Sequence, residues 1–318
     1  MHWSLWCLSI GAGVLAVVLL TSLVCFMMVF YSRKRKPLGE DEYEIPPGEI
    51  YEVFREDMIA WTKEVRSMPH EDIEITSHDG LTLRGRYYEC EAGAPVEILF
   101  HGYKGNAERD LCGAVERAFK VRRNALIVDH RAAGFSDGHV ISFGINERRD
   151  CLGWIEKVIE RFGSDVKIVI TGISMGAATV MMAAGEEDLP KNVISVLADC
   201  GYTSPKEIIS KVVKDMKLPA RVFYPFIKLG ARIYGRFDLE ETSPIDAMKR
   251  CSVPIVFVHG DTDDFVPYDM SVRLCEACAS EKKILMTVKG AGHGLAYPVD
   301  REGYVKRLNE IYDEWGIR

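Results

Sequence analysis

The chain has 318 residues, of which 47% are hydrophobic and 27% are charged, which is the composition of a globular protein with one large domain or two small ones. Its formal net charge of −7 argues against a nucleic-acid-binding protein, and no stripe of Lys and Arg interleaved with aromatic residues is present. The nine cysteines are an odd number in a chain of this size, which argues against a disulfide framework and favours a reducing compartment.

The N-terminal segment is an apolar run without charge from Trp3 to Ser32. It exceeds the roughly 20 residues that cross a bilayer, and it is longer than the apolar core of a typical signal peptide. We therefore predict an uncleaved transmembrane anchor over residues 4–31. Four basic residues, Arg33 to Lys36, follow directly, so the positive-inside rule predicts a single-pass cell-membrane protein with its domain in the cytoplasm. An exported domain is the alternative.

A linker follows the anchor. Residues 32–48 are first basic and then acidic and proline-containing, which is typical of a short spacer. Apolar residues then recur at helical spacing from Ile50 to Val65, which predicts one amphipathic helix that packs on the domain or lies near the membrane.

The rest of the chain predicts a mixed sheet. Residues 71–90 form a hairpin that turns at 78–80, because apolar residues alternate on either side of a His-Asp-Gly turn. Continuous apolar strands separated by helical stretches follow, which predicts a parallel sheet with helices on both faces. These strands are predicted at 96–100, 125–129, 167–172, 193–199, 254–260 and 283–288.

The pattern Gly-x-Ser-x-Gly, typical of a serine nucleophile on a sharp turn, occurs twice, at 134–138 and at 172–176. Ser174 directly follows a predicted strand and precedes a run of good helix formers, which is the context that the pattern requires. The flanking glycines omit side chains that would collide across so sharp a turn. Ser136 lies seven residues past its strand and no helix start follows, so we favour Ser174 as the nucleophile.

A serine hydroxyl needs a base that accepts its proton and a carboxylate that orients the base. The sequence has two histidines beyond Ser174. His259 ends a predicted strand, whereas His293 lies in a glycine-rich loop after the last strand, so His293 is the favoured base. Three carboxylates follow the strand that ends at 260, and their spacing does not choose among them: Asp261, Asp263 and Asp264.

Four motifs in this order resemble the α/β-hydrolase superfamily. They are FHGYKGN, DHRAAGFSDG, GISMG, and HGDTDDFVP followed by GAGHG. The resemblance covers residues 70–316 and is to small, membrane-anchored bacterial serine hydrolases related to acyl-esterase and prolyl-oligopeptidase-type domains. It implies an α/β-hydrolase fold over residues 49–318, with a mostly parallel sheet, an antiparallel N-terminal hairpin, helices on both faces and a small helical cap.

The resemblance also implies roles for single residues. Asp263 matches the acid of a Gly-x-x-Asp-x-x-Val-Pro arrangement, and Asp264 is the alternative. The oxyanion of the reaction needs two backbone N–H donors, which we assign to Met175, directly after the nucleophile, and by the family's pattern to Tyr103. The second glycine-serine motif matches a loop of the family, in which Ala132 stands where glycine is usual. No cofactor and no metal are implied.

More than fifty residues separate the strand that ends at Asp199 from the next one. This stretch predicts a cap at about 204–243, made of two or three short helices broken at Pro205, Pro219 and Pro225. Residues 216–237 carry five cations and no acid among apolar and aromatic residues. Such a segment is compatible with contact to anionic lipid, or with a lid helix that packs on the core and holds its cations in water.

The predicted function is that of a serine hydrolase that cleaves carboxylic esters, including acyl, lipid-like or thioesters, through Ser174, His293 and Asp263. The alternatives are a serine peptidase acting on short peptides and a non-catalytic binding domain that keeps the fold. A binding domain without catalysis would not need all three side chains, which argues against the second alternative. The small cap favours esters over peptides, which argues against the first. The predicted partners are a small-molecule ester or acyl substrate and, through the N-terminal helix, the membrane, with no nucleic acid.

Overall fold

The architecture is taken from a computed structural model that describes residues 2–33 and 38–317. Residues 34–36, which belong to the predicted basic cluster, and the linker residue Pro37 lie outside the described residues. Within the described residues the chain forms twelve helices and eight strands.

The strands form a single sheet. Their bounds in chain order are β1 (Glu71–Thr76), β2 (Thr82–Tyr88), β3 (Val96–Phe100), β4 (Asn124–Val128), β5 (Ile168–Ile173), β6 (Val193–Asp199), β7 (Ile255–Gly260) and β8 (Lys283–Val288). The order across the sheet is β1-β2-β4-β3-β5-β6-β7-β8. β2 is antiparallel to both β1 and β4, and the other neighbours are parallel. The predicted mixed sheet with its N-terminal hairpin is thereby confirmed.

The helices cover both faces of the sheet. Their bounds are α1 (His2–Val29), α2 (Glu49–Glu52), α3 (Arg55–Ser67), α4 (Ala107–Lys120), α5 (Glu147–Phe162), α6 (Met175–Ala184), α7 (Pro205–Asp215), α8 (Ala220–Ile233), α9 (Pro244–Met248), α10 (Tyr268–Ala277), α11 (Ala296–Val299) and α12 (Arg301–Trp315). One apolar cluster joins the sheet to α5, α6, α9 and α10. A second joins the opposite face to α3, α4, α11 and α12.

The burial of each strand follows from its place in the sheet. β3 and β4 are buried along their whole length because helices cover both of their faces, which is why they are continuous apolar runs. The edge strand β1 alternates between exposed and buried residues instead. All the parallel strands point their carboxyl ends to one edge, so the loops that follow them meet there.

The end of α1 is part of the domain. Phe30 is fully buried in a third apolar cluster with residues of α6, α7 and α8. Its ring packs against those of Phe143 at 5.8 Å and Phe237 at 5.3 Å between centroids. Beyond α1 the backbone pairs with the loop after β4, where the Ile141 N–H donates to Phe30 O at 2.8 Å.

Two local predictions need correction. The single amphipathic helix predicted from Ile50 to Val65 is two helices, α2 and α3, with a break at Val53 and Phe54. The predicted break at Pro225 does not occur either, since this residue lies inside α8. It stands in the second helical turn, where the missing N–H removes only the bond to the carbonyl of Arg221.

Candidate active site

Ser174 lies on the turn between β5 and α6, at the carboxyl edge of the sheet. Its backbone has φ 56° and ψ −112°, a conformation that L-residues rarely adopt. The Ser174 N–H donates to Asp199 O at 2.8 Å, which fixes the turn to the neighbouring strand. The strain projects the hydroxyl out of the turn, as expected for a nucleophile elbow.

The two glycines of the motif are required by space. A Cβ built on Gly172 would lie 2.1 Å from the carbonyl carbon of Gly176, and one built on Gly176 would lie 2.1 Å from Phe100 O. Neither contact is compatible with a side chain, because the neighbouring atoms belong to the backbone and have no room to move. The collision across the turn that the sequence suggested is therefore present in the geometry.

Three predicted side chains form one hydrogen-bonded chain. His293 Nε2 lies 2.9 Å from Ser174 Oγ, and His293 Nδ1 lies 2.7 Å from Asp263 Oδ2. His293 is held by the loop after β8, and Asp263 by the loop after β7. The Tyr51 hydroxyl donates to His293 O at 3.0 Å, so a residue of α2 also fixes the histidine loop.

The carboxylate of Asp263 is fully engaged. Oδ1 accepts the N–H groups of Phe265 and Val266, both at 2.9 Å, and Oδ2 also contacts His259 Nε2 at 3.1 Å. Burial alone raises the pKa of Asp263, but the hydrogen bonds from His259 and His293 lower it well below its usual range. These contacts therefore favour the ionised form of the carboxylate.

The alternatives from the sequence lie elsewhere. The Ser136 hydroxyl is buried, donates to Asp129 O at 2.7 Å and accepts the Arg84 N–H at 2.8 Å, so it closes a loop. The side chain of Asp264 is exposed. His259 is buried, and its Nε2 contacts both Asp263 Oδ2 and, at 2.9 Å, Val266 O. It therefore supports the loop that holds the acid. Its position at the end of a strand did not indicate this second contact to Asp263.

The loop after β3 lies against the nucleophile. A Cβ on Gly102 would lie 3.7 Å from Ser174 Cβ, so the peptide that leads to Tyr103 runs beside the serine. Met175, the other predicted N–H donor, is buried at the first position of α6. The Tyr103 hydroxyl donates to Val29 O at 2.6 Å, which ties this loop to the end of α1. That contact has no counterpart in the sequence motifs.

A cavity of about 530 Å³ opens at Ser174. Its walls are mainly apolar and aromatic, and they include residues of the linker, α2 and α3: Pro46, Pro47, Ile50, Tyr51, Met58 and Trp61. Among the described residues that line it, none belongs to the predicted cap at 204–243. The amphipathic spacing of residues 50–65 was the sequence signal for this wall, although it does not indicate that the segment faces a cavity.

Two buried groups beside the cavity were not predicted. Asp199 Oδ1 has no hydrogen-bond partner among the described residues, and burial raises the pKa of Asp199 to about 6. The thiol of Cys200 and ligand atoms of Asp263 and His293 lie within 4.8 Å of one another. Burial and the nearby carboxylates raise the pKa of this thiol well above its usual range, which favours the neutral thiol.

The sheet order, the strained serine after β5 and the loops that meet beside it define an α/β hydrolase. The sequence pattern of the prolyl oligopeptidase family matches residues 135–315, more than half of the chain. The chain therefore belongs to the prolyl oligopeptidase family.

Known proteins resemble the chain beyond this segment. YqkD of Bacillus subtilis is 24% identical over 307 residues, which is 96% of both chains, so the match reaches into the N-terminal apolar segment. Bem46 of Schizosaccharomyces pombe is 27% identical over 68% of both chains. The structure of the Pyrococcus furiosus esterase Pf2001 superposes with a TM-score of 0.66 at 20% identity and covers 90% of this chain and 98% of its own. That likeness shows the shared fold.

Proposed function

We propose that the protein is a serine hydrolase that cleaves carboxylic esters through an acyl-enzyme. The observation that carries the proposal is the hydrogen-bonded chain from Ser174 through His293 to Asp263, which opens on an apolar cavity. A cavity of about 530 Å³ is of the size that binds small ligands, and its apolar walls suit the acyl part of an ester. The esterase activity named for Pf2001 supports the same choice of substrate.

In the proposed reaction His293 Nε2 accepts the proton of Ser174 as its Oγ attacks the ester carbonyl. Asp263 orients the imidazole through Nδ1 and stabilises its charged form. The backbone N–H groups of Met175 and Tyr103 bind the oxyanion. The protonated His293 then gives its proton to the leaving alcohol, and water activated by the same base releases the acid and restores the serine.

Hydrolysis of short peptides is the second candidate, and membership in the prolyl oligopeptidase family favours it. The same three side chains serve either reaction, because ester and amide cleavage share the tetrahedral intermediate. The wall formed by residues 46–61 favours esters, since its apolar and aromatic side chains offer little to the N–H and C=O groups of a bound peptide.

We also propose that α1 anchors the protein in a membrane. Ser9–Val29 is long and apolar enough to cross a bilayer, a property that signal sequences share. The burial of Phe30 and Phe26 in the domain favours a helix that is retained, because its removal would expose the apolar surface that they cover. The basic residues after α1 favour a cytoplasmic domain. A reporter that is active only in the cytoplasm, fused after the last residue, tests this orientation.

The test of the reaction uses the full chain in detergent micelles, since α1 belongs to the apolar core. Turnover of p-nitrophenyl esters from acetate to palmitate and of peptide p-nitroanilides is measured for the wild type, for Ser174→Ala and for Ser136→Ala as the matched control. We expect ester turnover that Ser174→Ala abolishes and Ser136→Ala retains. A fluorophosphonate should label the wild type and the control but not Ser174→Ala.

The outcomes separate the candidates. Turnover of anilides without esters would replace the ester proposal with the peptide one. If a fluorophosphonate labels Ser174 of the wild type but the protein cleaves neither esters nor anilides, Ser174 remains the nucleophile and both proposed substrate classes are refuted. A folded protein that is not labelled at all would refute the catalytic assignment.

A further inference from the structure

The cavity at Ser174 has an exposed mouth and a buried floor. At the mouth, Ile50 is 49% exposed and Phe265 is 44% exposed. The floor is formed by residues of β5, β6, α4 and α12. Four polar residues of the floor are only 2% to 6% exposed: Arg117, Thr171, Asp199 and Tyr304. A ligand group that reaches the floor is therefore held away from bulk water.

Two polar atoms of the floor have no hydrogen-bond partner among the described residues, and they are Asp199 Oδ1 and Arg117 Nη1. Arg117 donates through its other terminal nitrogen, Nη2, to Glu97 Oε1 at 2.5 Å. Glu97 also accepts hydrogen bonds from Arg123 and Thr171, so its single charge is shared by two guanidinium groups. Burial raises the pKa of Asp199, and Arg117 is one of the cations near enough to oppose that effect.

Such atoms are costly in a core and useful in a binding site. A carboxylate oxygen or a guanidinium N–H that is buried without a partner loses the free energy of its hydration and gains no hydrogen bond in return. In a ligand cavity the bound molecule supplies the missing hydrogen bonds, and a few polar groups on otherwise apolar walls fix its orientation. Asp199 and Arg117 are therefore candidates for contacts to the substrate.

The two atoms restrict the kind of group that binds between them. A guanidinium N–H only donates and an ionised carboxylate only accepts, so a group that satisfies both must accept from Arg117 and donate to Asp199. A hydroxyl is the smallest neutral group that does both. A terminal methyl does neither, a carboxylate is repelled by Asp199, and an ammonium group is repelled by Arg117.

The floor is within reach of an acyl chain on Ser174. Thr171, which shares Glu97 with Arg117, precedes Ser174 by three residues, or about 10 Å of extended strand. An extended hydrocarbon chain advances about 1.25 Å per carbon, so about eight carbons cover that distance. A closed floor suits the acyl part of an ester, because the alcohol must leave and water must arrive through the mouth while the acyl group stays on the serine.

We propose that Asp199 and Arg117 form a subsite that binds a hydroxyl group on the acyl chain of the substrate. The hydroxyl donates to Asp199 Oδ1 and accepts from Arg117 Nη1. The substrates are then esters of hydroxylated acids of medium chain length. The inference rests on the proposed ester hydrolysis and adds two specificity-determining residues to it, without changing the chemistry at Ser174.

The test compares p-nitrophenyl esters of six-carbon and eight-carbon acids whose last carbon carries hydrogen, a hydroxyl or a methoxy group. A methoxy group accepts a hydrogen bond but cannot donate one, so it isolates the contact to Asp199. We measure kcat/KM with the full chain in micelles, well above the pKa of Asp199, which is about 6. The proteins are the wild type, Asp199→Leu, Asp199→Asn and, as the matched control at an exposed aspartate, Asp165→Asn.

The quantity that decides is the preference for the hydroxy ester over the plain ester of the same length. Partitioning into the micelles cancels when this preference is compared between two proteins. At one length or both it should be about 10-fold to 100-fold greater in the wild type than in Asp199→Leu, which is the effect of one hydrogen bond to a charged group. Asp199→Asn keeps an uncharged acceptor and should fall between them, and Asp165→Asn should match the wild type. The preference for the methoxy ester should not be greater in the wild type than in Asp199→Leu.

The outcomes separate the subsite from the reaction. Equal preferences in the wild type and Asp199→Leu, with the plain esters cleaved, would overturn the subsite while the proposed reaction stands. A preference that the methoxy ester shares in full would refute donation to Asp199, and the inference with it. If Asp199→Leu does not fold, Asp199→Asn decides, and a preference equal to that of the wild type overturns the inference. A wild type that cleaves no ester, acetate included, would refute the proposed reaction and the inference together.

Discussion

Replacement of Asp263 by asparagine tests the proposed acid, and the structure determines how the new side chain sits. Oδ1 accepts two backbone N–H groups at 2.9 Å, so the amide oxygen of an asparagine must take its place. The NH₂ group then takes the position of Oδ2 and donates to His293 Nδ1. This leaves the proton of the neutral imidazole ring on Nε2, where it points at Ser174. Nε2 then cannot accept the proton of the serine hydroxyl.

The magnitude follows from the lost charge and the wrong tautomer. We expect Asp263→Asn to lower kcat about 10⁴-fold, which corresponds to about 5 kcal/mol of transition-state stabilisation. The NH₂ group also faces His259 Nε2, which contacts Val266 O at 2.9 Å and so carries a proton. Two donors that face each other in a buried site should lower the free energy of unfolding by about 1–3 kcal/mol.

The assay measures kcat and KM for a p-nitrophenyl ester with the full chain in micelles, well below the melting temperature of each variant. Asp264→Asn is the matched control, because its side chain is exposed and its only hydrogen bond within the described part of the chain is from Lys211 Nζ to its main-chain oxygen. We expect this control to keep the wild-type rate. Asp263 is not the acid if folded Asp263→Asn stays within about tenfold of the wild-type kcat, or if Asp264→Asn loses the activity in its place.

Three further predictions concern stability and the elbow. Because the folded chain keeps a proton on Asp199 up to a pKa of about 6, whereas the unfolded carboxyl releases it near 3.8, wild-type stability falls as pH rises through that window. Asp199→Asn should therefore raise the free energy of unfolding by about 3 kcal/mol above this pH window and leave it unchanged below the window. Denaturant unfolding that shows the same gain at every pH would contradict this. Phe30→Ala, directly after α1, should lower the free energy of unfolding in micelles by about 3–5 kcal/mol, whereas Met28→Ala on the exposed face of α1 should not, and equal losses would refute the docking of α1. Gly172→Ala should abolish fluorophosphonate labelling of the purified full chain in micelles, whereas Gly11→Ala, which has nothing within 4 Å of the new Cβ, should not, and full labelling of the first would contradict the steric role of the turn.

The sequence predicted the sheet closely, because a strand that is buried on both faces is apolar along its whole length. β3 and β6 have the predicted bounds, and β4 differs by one residue at each end. The elbow was equally predictable, since only one of the two glycine-serine motifs stands between a strand and a helix. Both signals are local, and each is decided by residues that are neighbours in the chain.

The acid was harder to predict for a physical reason. Asp261, Asp263 and Asp264 all follow the same strand, and spacing alone does not distinguish them. The distinction comes from the backbone of the loop, whose N–H groups at Phe265 and Val266 converge on one carboxylate. A resemblance to related chains supplied what the spacing did not, and the assignment of the acid stays a prediction until Asp263→Asn is measured.

The wall of the cavity and the docking of α1 were beyond the reach of sequence patterns. Both bring together segments far apart in the chain, such as Tyr51 with His293 and Val29 with Tyr103. Helical periodicity shows that residues 50–65 have an apolar face, but it does not show what that face covers. In α8, Pro225 stands early enough in the helix to remove only one backbone hydrogen bond, so the helix continues through it.

The hydrogen bond from the Tyr103 hydroxyl to Val29 O joins the loop beside Ser174 to the end of α1. Tyr103 belongs to the loop beside the reactive serine, and Val29 is the last residue of the helix proposed to hold the chain in the membrane. Release of the domain without that helix would therefore yield a soluble protein whose loop has lost its support. Under the proposed crossing and the proposed reaction, loss of α1 would remove both the membrane attachment and a contact that holds the loop beside Ser174.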